Sequence, residues 1–130
     1  MSILIAPQGS ELAVPDMELA CTAGTQVGDV VFISGTNACA PALADDLATM
    51  PAAGIVRRKL TSTSCKVARY GELSGIFAGL TPGLTYFVSK TVPGAMTAAI
   101  TAPAVIHEVG FATTPTRFAV QIDSDYTVVS

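Results

Sequence analysis

Two Pro-Gly pairs, Pro82-Gly83 and Pro93-Gly94, constrain the fold of this chain more than any other feature. Proline holds φ at about −65° and the glycine after it accepts a positive φ, so each pair is typical of a type II turn. In residues 84–92 between the pairs, successive side chains would point to opposite faces, with the two-residue period of a strand. One face would carry Leu84, Tyr86 and Val88, and the other Thr85 and Phe87. The segment predicts a β-strand between two tight turns, without a catalytic constellation.

The chain is rich in apolar residues and poor in charge. Half of its 130 residues are hydrophobic, 13% are charged, and the mean hydropathy is +0.53. Globular domains carry about 25% charged residues. The composition therefore predicts that partners cover part of the surface of this chain, as in an obligate oligomer. The length fits a single domain. The net charge of −3 argues against a nucleic-acid-binding protein, which needs a basic face.

Acidic and basic side chains are segregated along the sequence. Residues 1–50 contain no Lys or Arg, and their acids are Glu11, Asp16, Glu18, Asp29, Asp45 and Asp46. Residues 57–69 contain no acid, and their cations are Arg57, Arg58, Lys59, Lys66 and Arg69. Two explanations remain open: the charges pair within the fold, or they provide complementarity between subunits that fixes the docking register.

The three cysteines, Cys21, Cys39 and Cys65, are odd in number and form no CxxC pair. They fit neither a disulfide framework nor a zinc site, and predict buried, reduced thiols that behave as small apolar residues. The first residues lack the basic start of a secretory signal, and no apolar run reaches the roughly 18 residues of a membrane helix. We therefore expect synthesis in a cytoplasm and no membrane partner.

Short strand-like segments separated by Gly, Pro, Asp and Thr follow one another along most of the chain. They lie near residues 17–22, 28–34, 54–60, 63–70, 73–78, 84–91, 95–100, 105–112, 117–122 and 126–129. Turn signals at intervals of about 8–12 residues predict an all-β fold, an antiparallel β-sandwich or β-barrel of many short strands. The one helical candidate, residues 41–50, meets Pro51, which predicts a helical turn within a loop and no substantial helix.

Residues 1–16 are predicted to form an extended arm, and residues 17–130 a single sandwich or barrel domain. A short apolar patch in the arm has few ways of being buried within its own domain, so we expect it to dock on a neighbouring subunit or a larger surface. The basic cluster in the middle of the chain is the second candidate contact. The predicted interface residues are Ile3, Leu4, Ile5, Arg57, Arg58 and Lys59.

Residues suited to catalysis or metal binding do not form a recognisable site. His107 is the single histidine, and Glu108 beside it would point to the opposite face of a strand, so it cannot easily orient the imidazole. Asp123-Ser124-Asp125 and Asp45-Asp46 lack the dense run of oxygen ligands that calcium needs. No phosphate-binding glycine motif and no nucleophile elbow occurs. We predict no enzymatic activity, no metal site and no cofactor.

Several short motifs follow one another in order through the chain. They are MPAAGIV (50–56), GELSG (71–75), GLTPGLTYFVS (79–89), VPGAMT (92–97), VGFAT (109–113) and FAVQI (118–122). Together they resemble a β-rich module of tailed-bacteriophage virion proteins. The resemblance covers about residues 28–122 and carries over no catalytic residue.

Modules of this kind occur in head-decoration (cement) proteins and in tail-fibre or tail-spike proteins. Here the module spans nearly the whole chain, with its own Met1 and a short arm, and so looks more like a head-decoration protein. The resemblance implies a structural protein on the capsid exterior, made in the host bacterial cytoplasm, that stabilises the shell by bridging capsid subunits. The implied partners are the major capsid protein and further copies of the chain, as a homotrimer or homodimer. A tail-fibre or tail-spike module that binds a host surface glycan is the alternative.

Overall fold

The computed structural model describes residues 15–130, and within them the chain is built from strands and one turn of 3₁₀ helix, Leu47–Thr49. The all-β prediction, without a substantial helix, is confirmed. The first six strands are β1 Met17–Ala20, β2 Val30–Gly35, β3 Ala38–Pro41, β4 Ala52–Thr61, β5 Ser64–Ala68 and β6 Tyr70–Ser74. The next six are β7 Thr85–Val88, β8 Met96–Thr97, β9 Ala104–Ile106, β10 Glu108–Thr114, β11 Arg117–Gln121 and β12 Thr127–Val129.

The first five strands close into a barrel in the order β1-β3-β2-β4-β5. Four of the five neighbouring pairs are antiparallel, whereas β1 and β3 run parallel, with Ala20 opposite Ala38. A closed ring with an odd number of strands cannot alternate direction throughout, so one parallel pair is unavoidable. The barrel therefore departs from a fully antiparallel arrangement at this one seam.

The later strands form two antiparallel sheets. Five of them pair in the order β6-β11-β10-β7-β8, and β9 pairs with β12 in a separate two-stranded sheet. The chain leaves the barrel and enters the larger sheet through a single residue, Arg69, between β5 and β6. The barrel and the larger sheet are thus consecutive along the sequence.

A hydrophobic core lies between the barrel and the five-stranded sheet. It joins Val30 and Ile55 of the barrel to Leu73, Val109 and Phe118 of the sheet, all fully buried. The Phe118 ring meets the rings of Phe77 and Tyr86 edge-on, with centroids 5.6 and 5.9 Å apart. Because both halves contribute to this cluster, neither can be removed without exposing apolar surface of the other. A second, smaller cluster fills the barrel itself.

Both Pro-Gly pairs form the predicted turns. Gly83 has a φ of +84°, and the Leu84 N–H donates to the Thr81 carbonyl at 3.1 Å. Gly94 has a φ of +81°, and the Ala95 N–H donates to the Val92 carbonyl at 3.2 Å. The strand between them, β7, ends at Val88, because the Ser89 hydroxyl accepts the N–H groups of residues 91 and 92 and turns the chain early.

The strand predictions fail in four places, and at one of them the segment predicted as a single strand at 105–112 divides at His107 into β9 and β10, which belong to different sheets. The segment predicted as one strand at 63–70 divides into β5 and the start of β6, and Gly75, with a φ of +77°, ends β6 so that 73–78 is not a strand. Strand β3 was not predicted. The prediction for residues 41–50, a helical turn within a loop, is confirmed by the 3₁₀ turn, which Asp46 caps: its Oδ1 accepts the Ala48 N–H at 2.8 Å.

Candidate binding surfaces

The predicted basic cluster lies on β4, and the first of its side chains is held within the chain. The Arg57 Nε donates to the Asp16 carboxylate at 2.7 Å, and its Nη1 donates to the Glu72 carbonyl at 3.2 Å. Asp16 belongs to the acidic part of the sequence and Arg57 to the basic part, so this ion pair follows the first explanation of the charge segregation, pairing within the fold. Arg57 also covers a carbonyl on the free edge of β6.

Lys59 is held by backbone carbonyls, whereas Arg58 has no partner among residues 15–130. The Lys59 Nζ donates to the carbonyls of Thr22 and Ala23 at 3.3 Å and of Ser62 at 2.9 Å, which fastens the loop after β1 to the β4–β5 hairpin. Arg58 is exposed and makes no ion pair or side-chain hydrogen bond with any residue in the range 15–130. Of the three predicted interface cations, Arg58 is therefore the one available to a partner. The remaining predicted interface residues, Ile3, Leu4 and Ile5, lie outside the described residues.

The outer face of the five-stranded sheet carries few charged side chains, with Glu72 of β6 and Arg117 of β11 among them. A row of side chains crosses it from Glu72 of β6 through Ala119 and Phe111 to Thr85 of β7, as the strand register requires. The Phe111 ring is 37% exposed in the middle of this row, and Tyr70 is 47% exposed on β6. Aromatic side chains on a face with little charge are typical of the buried centre of protein interfaces. We call this surface the outer sheet face.

His107 is buried between the barrel and the C-terminal segment. Its side chain is 2% exposed, and the Nε2 lies 2.7 Å from the Asp123 carbonyl oxygen, to which it donates. The Nδ1 accepts a backbone N–H on its other side. Both ring nitrogens are occupied by backbone groups, as expected for a satisfied structural histidine rather than a general base.

A small cleft opens beside His107. It has a volume of about 200 Å³, and the side chains of Arg69, Asp123 and Tyr126 line it. The Tyr126 ring is 43% exposed and tilts against the imidazole, with centroids 5.8 Å apart. The guanidinium of Arg69 donates to the Ala53 carbonyl at 3.4 Å. An aromatic ring beside a cation and a carboxylate can stack against one face of a small polar ring and hydrogen-bond its edge.

No sequence motif predicts this cleft. Its lining residues come from five separate parts of the chain, and the closure of the barrel onto the last residues brings them together. Asp123 was singled out only as part of a possible calcium pair. Its Oδ1 accepts the Asp125 N–H at 3.1 Å, as in a turn. Residues 15–130 contain no group of three or more His, Cys, Asp or Glu side chains placed to hold a metal ion.

The three cysteines meet inside the barrel as free thiols. Cys21, Cys39 and Cys65 are all buried in the smaller apolar cluster, as the sequence predicts. The Sγ atoms of Cys39 and Cys65 are 3.8 Å apart. Burial raises the pKa of Cys65 from its ordinary 9.0 to about 12, and it also raises the pKa of Cys39. Thiols with such pKa values stay protonated at neutral pH and are poor nucleophiles.

Comparison with known proteins leaves the chain without a relative. No protein-family model, curated protein or solved structure matches it. No helix among residues 15–130 is long and apolar enough to cross a membrane.

Proposed function

We propose that this chain is a structural virion protein that decorates and stabilises a bacteriophage capsid by bridging capsid subunits. The motif series through residues 28–122 motivates the proposal, and the outer sheet face is the observation that supports it. This face presents Phe111 and Tyr70 beside small or uncharged side chains such as Ala119 and Thr85, and it also carries Glu72 and Arg117. Such a surface gains free energy when a partner covers it.

The proposed mechanism is added contact area between neighbouring capsid subunits. A protein that binds the assembled shell, and not the separated subunits, stabilises the shell by mass action. A standard protein interface of about 1,600 Å² is within reach of a domain of this size. No catalysis and no cofactor are needed for this role.

Copy number in purified particles tests the proposal first. We expect hundreds of copies per virion, which antibody labelling places on the head, and a lower heat resistance of particles stripped of the protein. A few copies located at the tail would contradict the proposal. Unchanged heat resistance after stripping would remove the stabilising role.

A substitution on the outer sheet face tests the proposed docking surface. Phe111→Glu places a charge in the middle of the face and is expected to abolish rebinding to stripped capsids. Val92→Glu is the matched control, because Val92 is 55% exposed in the turn after β7, away from this face. Equal rebinding of both variants would show that the shell contacts another surface.

The cleft beside His107 supports a second candidate, a tail-fibre or tail-spike module that binds a host surface glycan. Tyr126 would stack against one face of a sugar ring while Arg69 and Asp123 hydrogen-bond its hydroxyl groups. On a glycan array, Tyr126→Ala would then lose a signal that the wild type gives. Tyr70→Ala is the matched control, since this tyrosine is similarly exposed on the outer sheet face. No array signal from the wild type would eliminate this candidate.

A further inference from the structure

A basic ridge lies on the β4–β5 hairpin of the barrel. Arg58 is directly opposite Lys66 across the two strands, and Lys66 is in turn opposite Glu18 of β1. Like charges directly opposite each other destabilise a sheet, and neither cation makes an ion pair within residues 15–130. Leu60 follows on the same hairpin, 37% exposed. We call Arg58, Leu60 and Lys66 the basic ridge; its two cations outnumber Glu18, the acid opposite Lys66.

An acidic groove lies between the 3₁₀ turn and the two-stranded sheet. Its volume is about 490 Å³; its walls include Leu47, Val105 and Val128, and Asp45 and Asp46 line it as well. Leu47 is 48% exposed and Val128 is 56% exposed. No Lys or Arg of the described chain lines the groove. The Asp45 side chain makes no ion pair or hydrogen bond within residues 15–130, so both its charge and the apolar walls are available to a partner.

We propose that the basic ridge of one copy docks in the acidic groove of a second copy. Leu60 enters between the apolar walls, and the Arg58 guanidinium meets the carboxylates of Asp45 and Asp46. A guanidinium can donate two parallel hydrogen bonds to a carboxylate, which fixes orientation as well as charge.

A second copy is the occupant that the charges favour, because one chain carries both halves of the contact. The two halves make no ion pair with each other within the chain. The contact joins two different patches, so it occurs twice in a two-fold dimer or once per copy around a closed ring. It also accounts for a further part of the charge segregation: Arg57 pairs internally with Asp16, whereas Arg58 pairs between copies. The contact is independent of capsid binding.

Sedimentation velocity of the purified chain tests the contact through a charge exchange. We expect an oligomer at about 50 mM NaCl that weakens at about 500 mM, because salt screens exposed charges. Arg58→Glu and Asp45→Arg should each weaken association about tenfold or more, and the double variant Arg58→Glu/Asp45→Arg should recover it. Arg117→Glu is the control: it makes the same change in charge at an exposed position on β11 and should leave association unchanged.

Three results would overturn the proposal. These are a monomeric wild type at low salt, a double variant as weak as the single ones, and an Arg117→Glu effect equal to that of Arg58→Glu. Circular dichroism of each variant checks that it is folded, and the salt dependence of the wild type needs no variant. A wild type that does not self-associate but binds capsids would refute the self-association alone, and a wild type that self-associates but does not bind capsids would refute capsid decoration alone.

Discussion

The His107 Nδ1 accepts a hydrogen bond from the backbone N–H of Ala52 at 3.0 Å. This bond joins the residue before β10 to the first residue of β4, and so connects the five-stranded sheet to the barrel. Because Nδ1 accepts and Nε2 donates to Asp123, the imidazole is the neutral Nε2–H tautomer. The single histidine of the chain thus holds three segments together through its two ring nitrogens.

Replacement of His107 by leucine should destabilise the fold. Leucine keeps apolar volume but leaves the buried Ala52 N–H without an acceptor, which costs about 2–4 kcal/mol together with the lost bond to Asp123. Urea unfolding measures the change in the free energy of unfolding. His107→Asn is the control, because its amide oxygen can take the place of Nδ1 and should recover part of the loss. A leucine variant as stable as the wild type would contradict the structural role.

Gly110→Ala should be among the most damaging small substitutions in the chain. Gly110 has a φ of +149°, and an added Cβ would overlap the Ala119 carbonyl oxygen and lie 2.9 Å from the Phe118 ring. We expect a loss of about 3 kcal/mol or more, because backbone on the neighbouring strand cannot give way. Gly24→Ala is the control, since its Cβ would meet nothing within 4 Å. Similar melting temperatures for the two variants would disprove this explanation.

The glycines of the two Pro-Gly turns should differ in their tolerance of alanine. At Gly83 the added Cβ meets nothing within 4 Å, so Gly83→Ala carries only the cost of a positive φ, about 1 kcal/mol. At Gly94 the Cβ would also lie 2.8 Å from the Asp29 Cγ, so Gly94→Ala should cost about 2 kcal/mol or more. Thermal unfolding of the two variants side by side measures the difference. The opposite order would refute the close approach at Asp29.

The barrel thiols should make the protein less stable in alkali. The unfolded chain loses the Cys65 proton above its ordinary pKa of 9.0, whereas the folded chain keeps it up to about 12. The unfolded state therefore binds fewer protons in this range, and stability falls as pH rises, by about 1.4 kcal/mol per pH unit for each such thiol. Urea unfolding at about pH 8.5 and 10.5 measures this fall. Cys65→Ala should reduce it, and an unchanged slope would show that other groups are responsible.

Lys59 and Arg58 should differ in their contribution to stability although they are neighbours in sequence. Lys59→Met removes an ammonium that binds three carbonyl oxygens and should cost about 1–2 kcal/mol. Arg58→Met removes a side chain without a partner in the described chain and should stay within about 0.5 kcal/mol of the wild type. Chemical denaturation of the monomer at high salt measures both. Equal losses would mean that Lys59 is as free as Arg58.

The local features of the fold could be predicted because their chemistry is local. The turns at Pro82-Gly83 and Pro93-Gly94 depend on two residues each, and the alternating residues between them place β7. Strand β3 could not be predicted, because its sequence ACAP has no β-branched or aromatic residue. Pairing with β2 on one side and β1 on the other makes it a strand.

The candidate surfaces could be predicted only in part. A cluster of cations is visible in the sequence. Lys59 differs from Arg58 because it binds the carbonyls of Ala23 and Thr22, which are 36 and 37 residues away along the chain. The acidic groove and the cleft beside His107 both depend on where the C-terminal strand docks. Such long-range placement leaves no periodic pattern in the sequence.

The consecutive order of barrel and sheet bears on synthesis. Every strand pairing of the barrel lies within residues 17–68, so the barrel can close while the ribosome still holds the rest of the chain. Val30 and Ile55 would then face water until Phe118 and Val120 emerge to cover them. The nascent chain therefore exposes an apolar face until the sheet strands emerge. During this interval a chaperone would bind the chain, or the chain would begin to aggregate.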